Sequence, residues 1–590
     1  MADPAGAPAD EHLTRRLRGV AIATTVVWGL VVLIWDEGPF AVTFDDAYYY
    51  FEIASRIADG QGSTFDGISE TNGYHPLWMA ICVIPYLLGV EGMAAVRVLL
   101  TVQVLLYGAS LWVLAGVAGR AAGGWPRLAA RTAKAARSGD AGGSDDAGGS
   151  GGAGDSGDAG GGRHRDAVDA CRWSVVAAVA LAVANPFVVR IAVSGLESVL
   201  VVVVGVLLLE RVLRAPGTLL TDRGTRQRAG TALLLVLAFL ARTDSALLVA
   251  TVGVAGLAEI RRRSLGLRGI VELVGLLAPA ALTLVVYVAW NIRAFGGLQI
   301  SGVVKRAPLE ATNVIGFGVV LIGCAIAIVR SVDRADRLAG GATPRFGRTS
   351  AFTARTSWYG TFALLVVAYY SLLSVQQWLW YYAPAATWLL FLLTVTCIDL
   401  FEQGAVDARR DTAPSRALLP LRALVLVPLG ALLVFQIRAL ADPEIRSIQL
   451  ANRTAAEWAS TGLPPDAVLA SWDAGVLGYF ADQPVVNLDG VVSGFDWYDA
   501  TQEGGAAMAA ELDAAGVTHI VNHGAIVDGE DPAIRPYVEA LWGPEVAAAA
   551  RVVESFPFVY SGTTVGSEGR SAGTRELAVW VYELPAPEAR

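Results

Sequence analysis

A polytopic α-helical membrane protein, with a C-terminal extracytoplasmic α/β domain, is the fold class this sequence predicts. Three observations predict it. The chain has 590 residues, 54% of them hydrophobic, and a mean hydropathy of +0.49, far too apolar for a water-soluble protein of this size. Its apolar segments approach the ~20 residues needed to cross a bilayer and are separated by Arg-bearing loops. After about residue 440 the spans stop, and short β-rich runs alternate with amphipathic stretches instead.

The net charge of -9 excludes bulk nucleic-acid binding. Cys82, Cys171, Cys324 and Cys397 are scattered, with neither metal nor disulfide spacing, and read as small buried hydrophobes. Lys134 and Lys305 are the only lysines.

Arg15, Arg16 and Arg18 flank the first span, about 17–35, with no small-residue cleavage site after it. The segment therefore reads as an uncleaved anchor with a cytoplasmic N-terminus. The following loop, 36–76, is then outside. Residues 77–90 are apolar but short, bracketed by Pro76 and Gly89, and read as an interfacial or re-entrant helix. Further spans are expected at about 94–118, 172–190, 197–214, 228–241, 243–259, 269–291, 313–330, 356–374, 382–400 and 417–437, making about 11 with the first.

Loop charge tests this count. The loops at 119–171, 212–227, 260–268, 331–355 and 401–416 should be cytoplasmic, and each is rich in Arg, for example Arg261, Arg262 and Arg263 in the third. If 77–90 crossed the membrane, every later loop would change sides and the charge rule would fail.

The cytoplasmic insert 138–163 is low-complexity Gly, Asp and Ser and is expected to be disordered. Residues 1–437 form the membrane module, and 440–590 a soluble domain in which acidic residues outnumber Arg by about three to one. Strands are expected in AVLAS, PVVNL, THIVNH and ELAVWVYEL, with helices at 446–461, 502–515 and 532–549. An odd number of crossings puts this domain outside, beside the 36–76 loop.

Under this topology one polar set collects at the outer face: Asp45 and Asp46, followed by Tyr48 and Tyr49; His75; Glu197 in SGLES; Arg242 and Asp244 in ARTDS; Lys305 and Arg306; and Gln377, Trp380 and Tyr381 in QQWLWYY. Ionisable groups at a membrane boundary are costly and tend to mark function. Adjacent carboxylates can act as a general base, a divalent-metal ligand, or both. Arg242, Lys305 and Arg306 can hold phosphate oxygens. Tyr and Trp offer platforms for a sugar ring or an isoprenoid tail. The combination fits a lipid-phosphate-sugar donor attacked by an acceptor hydroxyl. Structural roles compete at each position. Asp45 and Asp46 can cap the helix that follows, Glu197 can sit on a helix N-terminus, Arg242 and Asp244 can pair only with each other, and His75 can simply pack before Pro76. His519 and His523 lie in the THIVNH strand and read as structural.

At FDDAYYYFEIASRIADGQG, TNGYHPLW, NPFVVRIAVSGLES, ARTDS, ASWDAG and NLDGVV the chain resembles the GT-C superfamily of polytopic glycosyltransferases. Within it, the sequence is most similar to the branch related to protein O-mannosyltransferases and lipid A aminoarabinose transferases. The resemblance implies a polyprenyl-phosphate-sugar donor and an inverting transfer to an extracytoplasmic hydroxyl on a glycan, lipid or protein of the cell envelope. It makes Asp45 or Asp46 the catalytic base, with Asp45 preferred. A divalent metal (Mg, Mn or Zn) sits near this motif in several members, with Asp46 or Glu197 as the ligand to expect here. Oligosaccharyltransferases carry WWDYG where this chain has SWDAG, Ser471 to Gly475. The first Trp and the Tyr are missing, so peptide-sequon recognition is the second expectation, and Trp472 and Asp473 are assigned to the acceptor side. The reading from another class is a lipid-linked-sugar transporter or flippase, which would call for mid-membrane charges and a pseudo-repeat.

Overall fold

The computed structural model describes residues 7–139, 186–214, 220, 224–339, 347–409, 446–566 and 569–590, with isolated positions between 427 and 438. Among the described residues, six helices are long and apolar enough to cross a membrane: Leu13–Leu33, Gly92–Gly119, Thr243–Arg263, Gly266–Phe295, Ala311–Ala335 and Leu379–Leu400.

The expectation of about 11 spans is thus met in part. The segments expected at 197–214, 228–241 and 356–374 are helices, Ser198–Arg214, Thr225–Ala241 and Ser357–Leu372, of 17, 17 and 16 residues, shorter than the ~20 residues typical of a crossing. The spans expected at 172–190 and 417–437 lie mostly outside the described residues, as does the insert from residue 140 onward. The apolar run after Pro76 is a 12-residue helix, Pro76–Leu87, carrying Pro85 inside it. It is too short to cross, as expected.

Lipid-facing and protein-facing helices separate by exposure. Gly266–Phe295 leaves Leu282, Val285 and Val286 exposed, and Ala311–Ala335 leaves Ile315, Val319 and Ile322 exposed. Such continuous apolar faces would be costly in water and are matched by hydrocarbon. The Ser198–Arg214 helix is the opposite case. Val199, Val202, Val206, Leu208 and Leu209 are all buried, so this β-branched run fills the centre of the helical body. Cys82, Cys324 and Cys397 are buried free thiols, the packing role expected of them.

The C-terminal region folds into helices around a five-stranded sheet in the order β2-β1-β3-β5-β4. Strands β1 (Leu469–Ser471) and β2 (Val485–Asn487) are parallel, as are β1 and β3 (His519–Ala525). Strands β4 (Arg551–Gly566) and β5 (Gly569–Glu583) form an antiparallel hairpin that joins β3 through β5. Ile520, Trp580 and Tyr582 pack with Leu512, Ile534 and Val538 in the core of this domain. The four expected strands are present. The fifth, β4, was not legible because Pro557 interrupts it and its register shifts between Val552 and Glu554. An edge strand tolerates both, since its outer N–H groups pair with nothing in the sheet.

The domain packs directly on the helix Asp45–Ala58. Tyr48 sits among Tyr479 and Phe480 with ring centroids 5.7 and 5.8 Å away, and Tyr479 Oη donates to the Gly92 carbonyl at 2.8 Å.

Candidate functional site

The helix Asp45–Ala58 begins with two carboxylates in its first turn and no side-chain N-cap. Negative charge is favoured there by the exposed N–H groups and the helix dipole. Successive residues turn about 100°, so neighbours in sequence face different surroundings. Asp45 turns to the C-terminal domain, where its Oδ2 and Oδ1 accept the N–H groups of Gly475 and Val476, both at 2.8 Å. Asp46 turns inward, its Oδ2 lying 3.6 Å from Lys305 Nζ.

The three tyrosines divide in the same way. Tyr48 is fully buried, its hydroxyl 3.4 Å from Thr43 Oγ1. Tyr49 Oη donates to the Trp472 carbonyl at 3.3 Å and accepts from Asn487 Nδ2 at 3.0 Å. Tyr50 Oη donates to Glu197 Oε2 at 3.0 Å and accepts the His75 N–H at 2.9 Å.

Glu197 is placed by a short loop between the helices Pro186–Ala192 and Ser198–Arg214. Gly195 makes that loop possible: its φ is +80°, and a Cβ there would lie 2.4 Å from the Ala47 side chain. Trp78 Nε1 donates to the Gly195 carbonyl at 2.9 Å, and Gln103 accepts the Gly195 N–H at 2.9 Å while donating to the Leu196 carbonyl at 2.7 Å. The loop main chain is therefore held by two buried side chains from other helices.

Arg242 stands where the helix Thr225–Ala241 breaks, in extended backbone. Its guanidinium is 2% exposed and spans two carboxylates. Nη1 donates to Glu197 Oε1 at 2.7 Å, and Nη2 donates to Asp244 Oδ2 and to Tyr370 Oη, both at 2.8 Å. The guanidinium expected from sequence to hold phosphate is thus the centre of a buried Glu–Arg–Asp triad.

The segment 291–305 supplies the remaining wall. Asn72, from TNGYHP, donates to Asn291 Oδ1 at 2.7 Å and to the Leu298 carbonyl at 3.2 Å, and it accepts the Ile300 N–H at 2.9 Å. Gln299 and Lys305 bracket the short helix Ile300–Val304. Gln299 Oε1 accepts from Thr243 Oγ1 at 3.1 Å, its Nε2 donates to Ser301 Oγ at 3.2 Å, and Nε2 lies 3.5 Å from His75 Nδ1. His75 Nε2 is 3.6 Å from Glu197 Oε1.

Many of these groups line one cavity of about 420 Å³ between the helical body and the C-terminal domain. Of the residues expected from sequence, Asp46, Tyr49, His75, Glu197, Arg242, Asp244, Lys305, Trp380 and Tyr381 line it. Trp380 and Tyr381 meet edge to face with centroids 5.7 Å apart, and Tyr381 stacks on Tyr370 at 4.1 Å. Six others stand elsewhere. Asp45 and Tyr48 tie the helix to its neighbours, as described. Arg306 and Gln377 are exposed and away from the cavity wall. Trp472 meets Tyr537 edge to face in the C-terminal domain, with ring centroids 4.4 Å apart. Asp473 is half-exposed, its Oδ2 3.2 Å from His523 Nδ1, so His523 has a side-chain partner beyond its strand while His519 is buried. The domain reaches the cavity instead through Val491 and Val492. Gly73 permits this approach, since a Cβ there would stand 2.1 Å from the Val491 carbonyl oxygen.

The electrostatics follow from burial and neighbours. Burial raises the Asp46 carboxyl, with Lys305 opposing and Asp473 adding to the rise. Burial, then Asp473, pushes Asp45 up to about 8 against its two N–H donors. Burial pushes His75 down to about 3, Arg242 adding to the effect, so its imidazole is neutral. Burial opposes the Lys305 charge, but Asp46, Tyr381 and Asp489 more than offset it and the ammonium is held. Asp489 is itself pushed up to about 7 by burial. Among the described residues no group of three or more His, Cys, Asp and Glu side chains could hold a metal ion. Asp46 faces an ammonium, and Glu197 is taken up by Arg242 and Tyr50. This donor set does not fit an oxygen-rich divalent cation, and the Asp46-or-Glu197 metal expectation finds no coordination shell here.

Sequence reasoning left out Tyr50, Thr243, Gln299, Tyr370 and Asp489. Tyr50 and Asp489 stood inside quoted motifs, so a signal existed. Gln299 and Tyr370 stood in ordinary loop and helix sequence, and only their contacts reveal them.

Residues 439–573 match a family model described as a domain of unknown function (DUF8728). No curated protein matches the chain. Among solved structures, the chain is similar to the Archaeoglobus fulgidus oligosaccharyltransferase tethered with an acceptor peptide containing the NVT sequon. The identity is 13%, the TM-score 0.45, and the coverage 94% of this chain and 74% of that one. The apo form of the same enzyme matches at 12% identity and TM-score 0.44, with the same coverage.

Proposed function

We propose that this chain is a membrane glycosyltransferase that moves a sugar from a polyprenyl-phosphate donor to an extracytoplasmic acceptor hydroxyl, with inversion at the anomeric carbon. One observation carries the reading. A carboxylate and an ammonium, Asp46 and Lys305, face each other at 3.6 Å in a cavity that is walled by aromatic rings and opens between apolar helices and a polar domain. A lipid-linked sugar phosphate combines a single anionic phosphodiester, a ring and an isoprenoid chain, and this wall offers a partner for each.

The chemistry requires a base and a stabiliser for the departing phosphate. In the proposed step the acceptor hydroxyl proton passes to the Asp46 carboxylate. The acceptor oxygen attacks the anomeric carbon from the face opposite the phosphate. The C–O bond to phosphate breaks, and its electron pair leaves on the polyprenyl phosphate. Lys305 meets the charge that develops there. The raised Asp46 carboxyl makes its ionised form a stronger base than an exposed aspartate. Arg242 contributes by holding Glu197, which in turn orients Tyr50 and His75. Asp46 thus replaces Asp45 as the preferred base, because both Asp45 oxygens are occupied by backbone N–H groups. The side of the membrane follows from loop charge: Arg-rich loops inside, cavity and C-terminal domain outside.

Transfer in membranes supplied with radiolabelled polyprenyl-phosphate sugars tests the proposal. Asp46→Asn is expected to lose about 10²- to 10⁴-fold in rate at matched folded protein, and Lys305→Met to fall with it. Wild-type rates in Asp46→Asn, or no donor consumption by wild type, would overturn the reading.

A further inference from the structure

The charges around the cavity come in closed sets. Arg242 is shared between Glu197 and Asp244, and Lys305 faces Asp46. Groups committed in this way recognise charge and discriminate poorly among neutral hydroxyls. The neutral polar strip Thr243–Gln299–Ser301 lies on the same wall, and Gln299 is its hub.

Three features single out Gln299. Its contacts to Thr243, Ser301 and His75, at 3.1, 3.2 and 3.5 Å, sit at the long end of hydrogen bonding, so ligand hydroxyls can replace them at small cost. A primary amide has two N–H donors and two carbonyl lone pairs, and Thr243 supplies one donor to that carbonyl. Its main chain is rigid. Asn72 accepts from Ile300 N–H and donates to the Leu298 carbonyl, pinning both neighbours, while the Gln299 carbonyl accepts the Gly302 N–H at 3.0 Å. A preorganised amide loses little freedom on binding.

Position adds the rest. Gln299 and Lys305 cap opposite ends of the helix Ile300–Val304, a separation on the order of 9 Å along its axis at 1.5 Å per residue. In the proposed pose the phosphate meets Lys305 and the ring hydroxyls lie toward Gln299.

We propose that Gln299 is a specificity-determining residue that reads a ring hydroxyl of the donor sugar. The assignment rests on the glycosyltransferase reading above and deepens it. The test measures kcat/KM for polyprenyl-monophosphate-linked glucose, mannose and galactose, with wild type, Gln299→Leu and Thr243→Val. Wild type is expected to prefer one donor. Gln299→Leu should narrow that preference about fivefold, the worth of one neutral hydrogen bond. Thr243→Val removes the donor to Gln299 Oε1 and should shift the same ratio, which keeps the test valid if the leucine variant fails to insert. Equal loss on all three donors, or a wild type that does not discriminate among them, overturns the role of Gln299 while leaving the transferase reading in place. A wild type that consumes no donor overturns both.

Discussion

Asp45 and Gly475 lie 430 positions apart in the chain, and the Gly475 N–H donates to Asp45 Oδ2 at 2.8 Å. A Cβ on Gly475 would stand 2.2 Å from the Asp45 carbonyl oxygen, so the two main chains approach as closely as glycine permits. The next residue, Asp46, faces Lys305 and the cavity. Two adjacent carboxylates thus do separate work: one docks the C-terminal domain, the other faces the site.

Asp45→Ala is expected to destabilise by about 1–3 kcal/mol, the cost of stranding partly buried N–H groups, and Gly475→Ala to weaken the same contact by steric overlap. Asp45→Asn keeps one acceptor oxygen and should fall between. Thermal melts in detergent measure this. Transfer per folded molecule should change little in Asp45→Asn and collapse in Asp46→Asn; the reverse order would return the base to Asp45.

Arg242→Ala leaves Glu197 and Asp244 buried without their shared cation. Breaking such a network costs about 3–5 kcal/mol, so the variant should insert poorly or melt well below wild type. Arg242→Lys loses the planar fork and should recover only part of the stability. An Arg242→Ala protein that melts like wild type and loses only transfer would restore a direct role on phosphate.

Gly195→Ala puts a side chain at φ +80° against Ala47. The left-handed backbone alone costs about 1–2 kcal/mol, and the overlap adds to it. The loop carrying Glu197 should shift, lowering both melting temperature and transfer. Trp78→Phe, which removes one hydrogen bond to the same loop, should show a smaller loss of the same kind. A Gly195→Ala protein with wild-type stability would mean the loop can rearrange freely.

Asp489 gives a pH signature. Its carboxyl is raised from 3.8 to about 7, first by burial, so the folded protein binds this proton more tightly than the unfolded chain. Its contribution to stability is complete below about 3.8 and is lost as pH rises through about 7. Asp489→Asn imitates the protonated form and removes that loss. Melting temperatures at pH 5 and pH 9 should therefore show the variant gaining on wild type at the higher pH. A difference that does not change with pH would contradict the raised carboxyl.

Much of the architecture was legible because its cause is local. Apolar runs such as Gly266–Phe295 announce helices, and β-branched runs such as THIVNH announce strands. Of the site, Asp46, His75, Glu197, Arg242 and Lys305 were legible as costly charges and polar groups at a membrane edge. Their partners were not. Whether Arg242 holds a ligand or is itself held depends on Glu197 and Tyr370, which lie 45 and 128 positions away. Hydropathy also marks Ser198–Arg214 as a span, although most of its side chains are buried against other helices, because an apolar helix reads alike whether protein or lipid surrounds it.

By itself, then, the sequence determined the helical membrane body, the α/β character of the C-terminal domain and the polar segments that meet at one face. Each follows from side-chain type and period, which act over a few residues. Only the tertiary structure decided that Asp45 docks while Asp46 faces the cavity, that Arg242 is locked in a triad, and that Gln299 belongs to the wall. Those assignments depend on which distant groups come within hydrogen-bond reach, and a helix turning about 100° per residue sends even adjacent side chains to different partners.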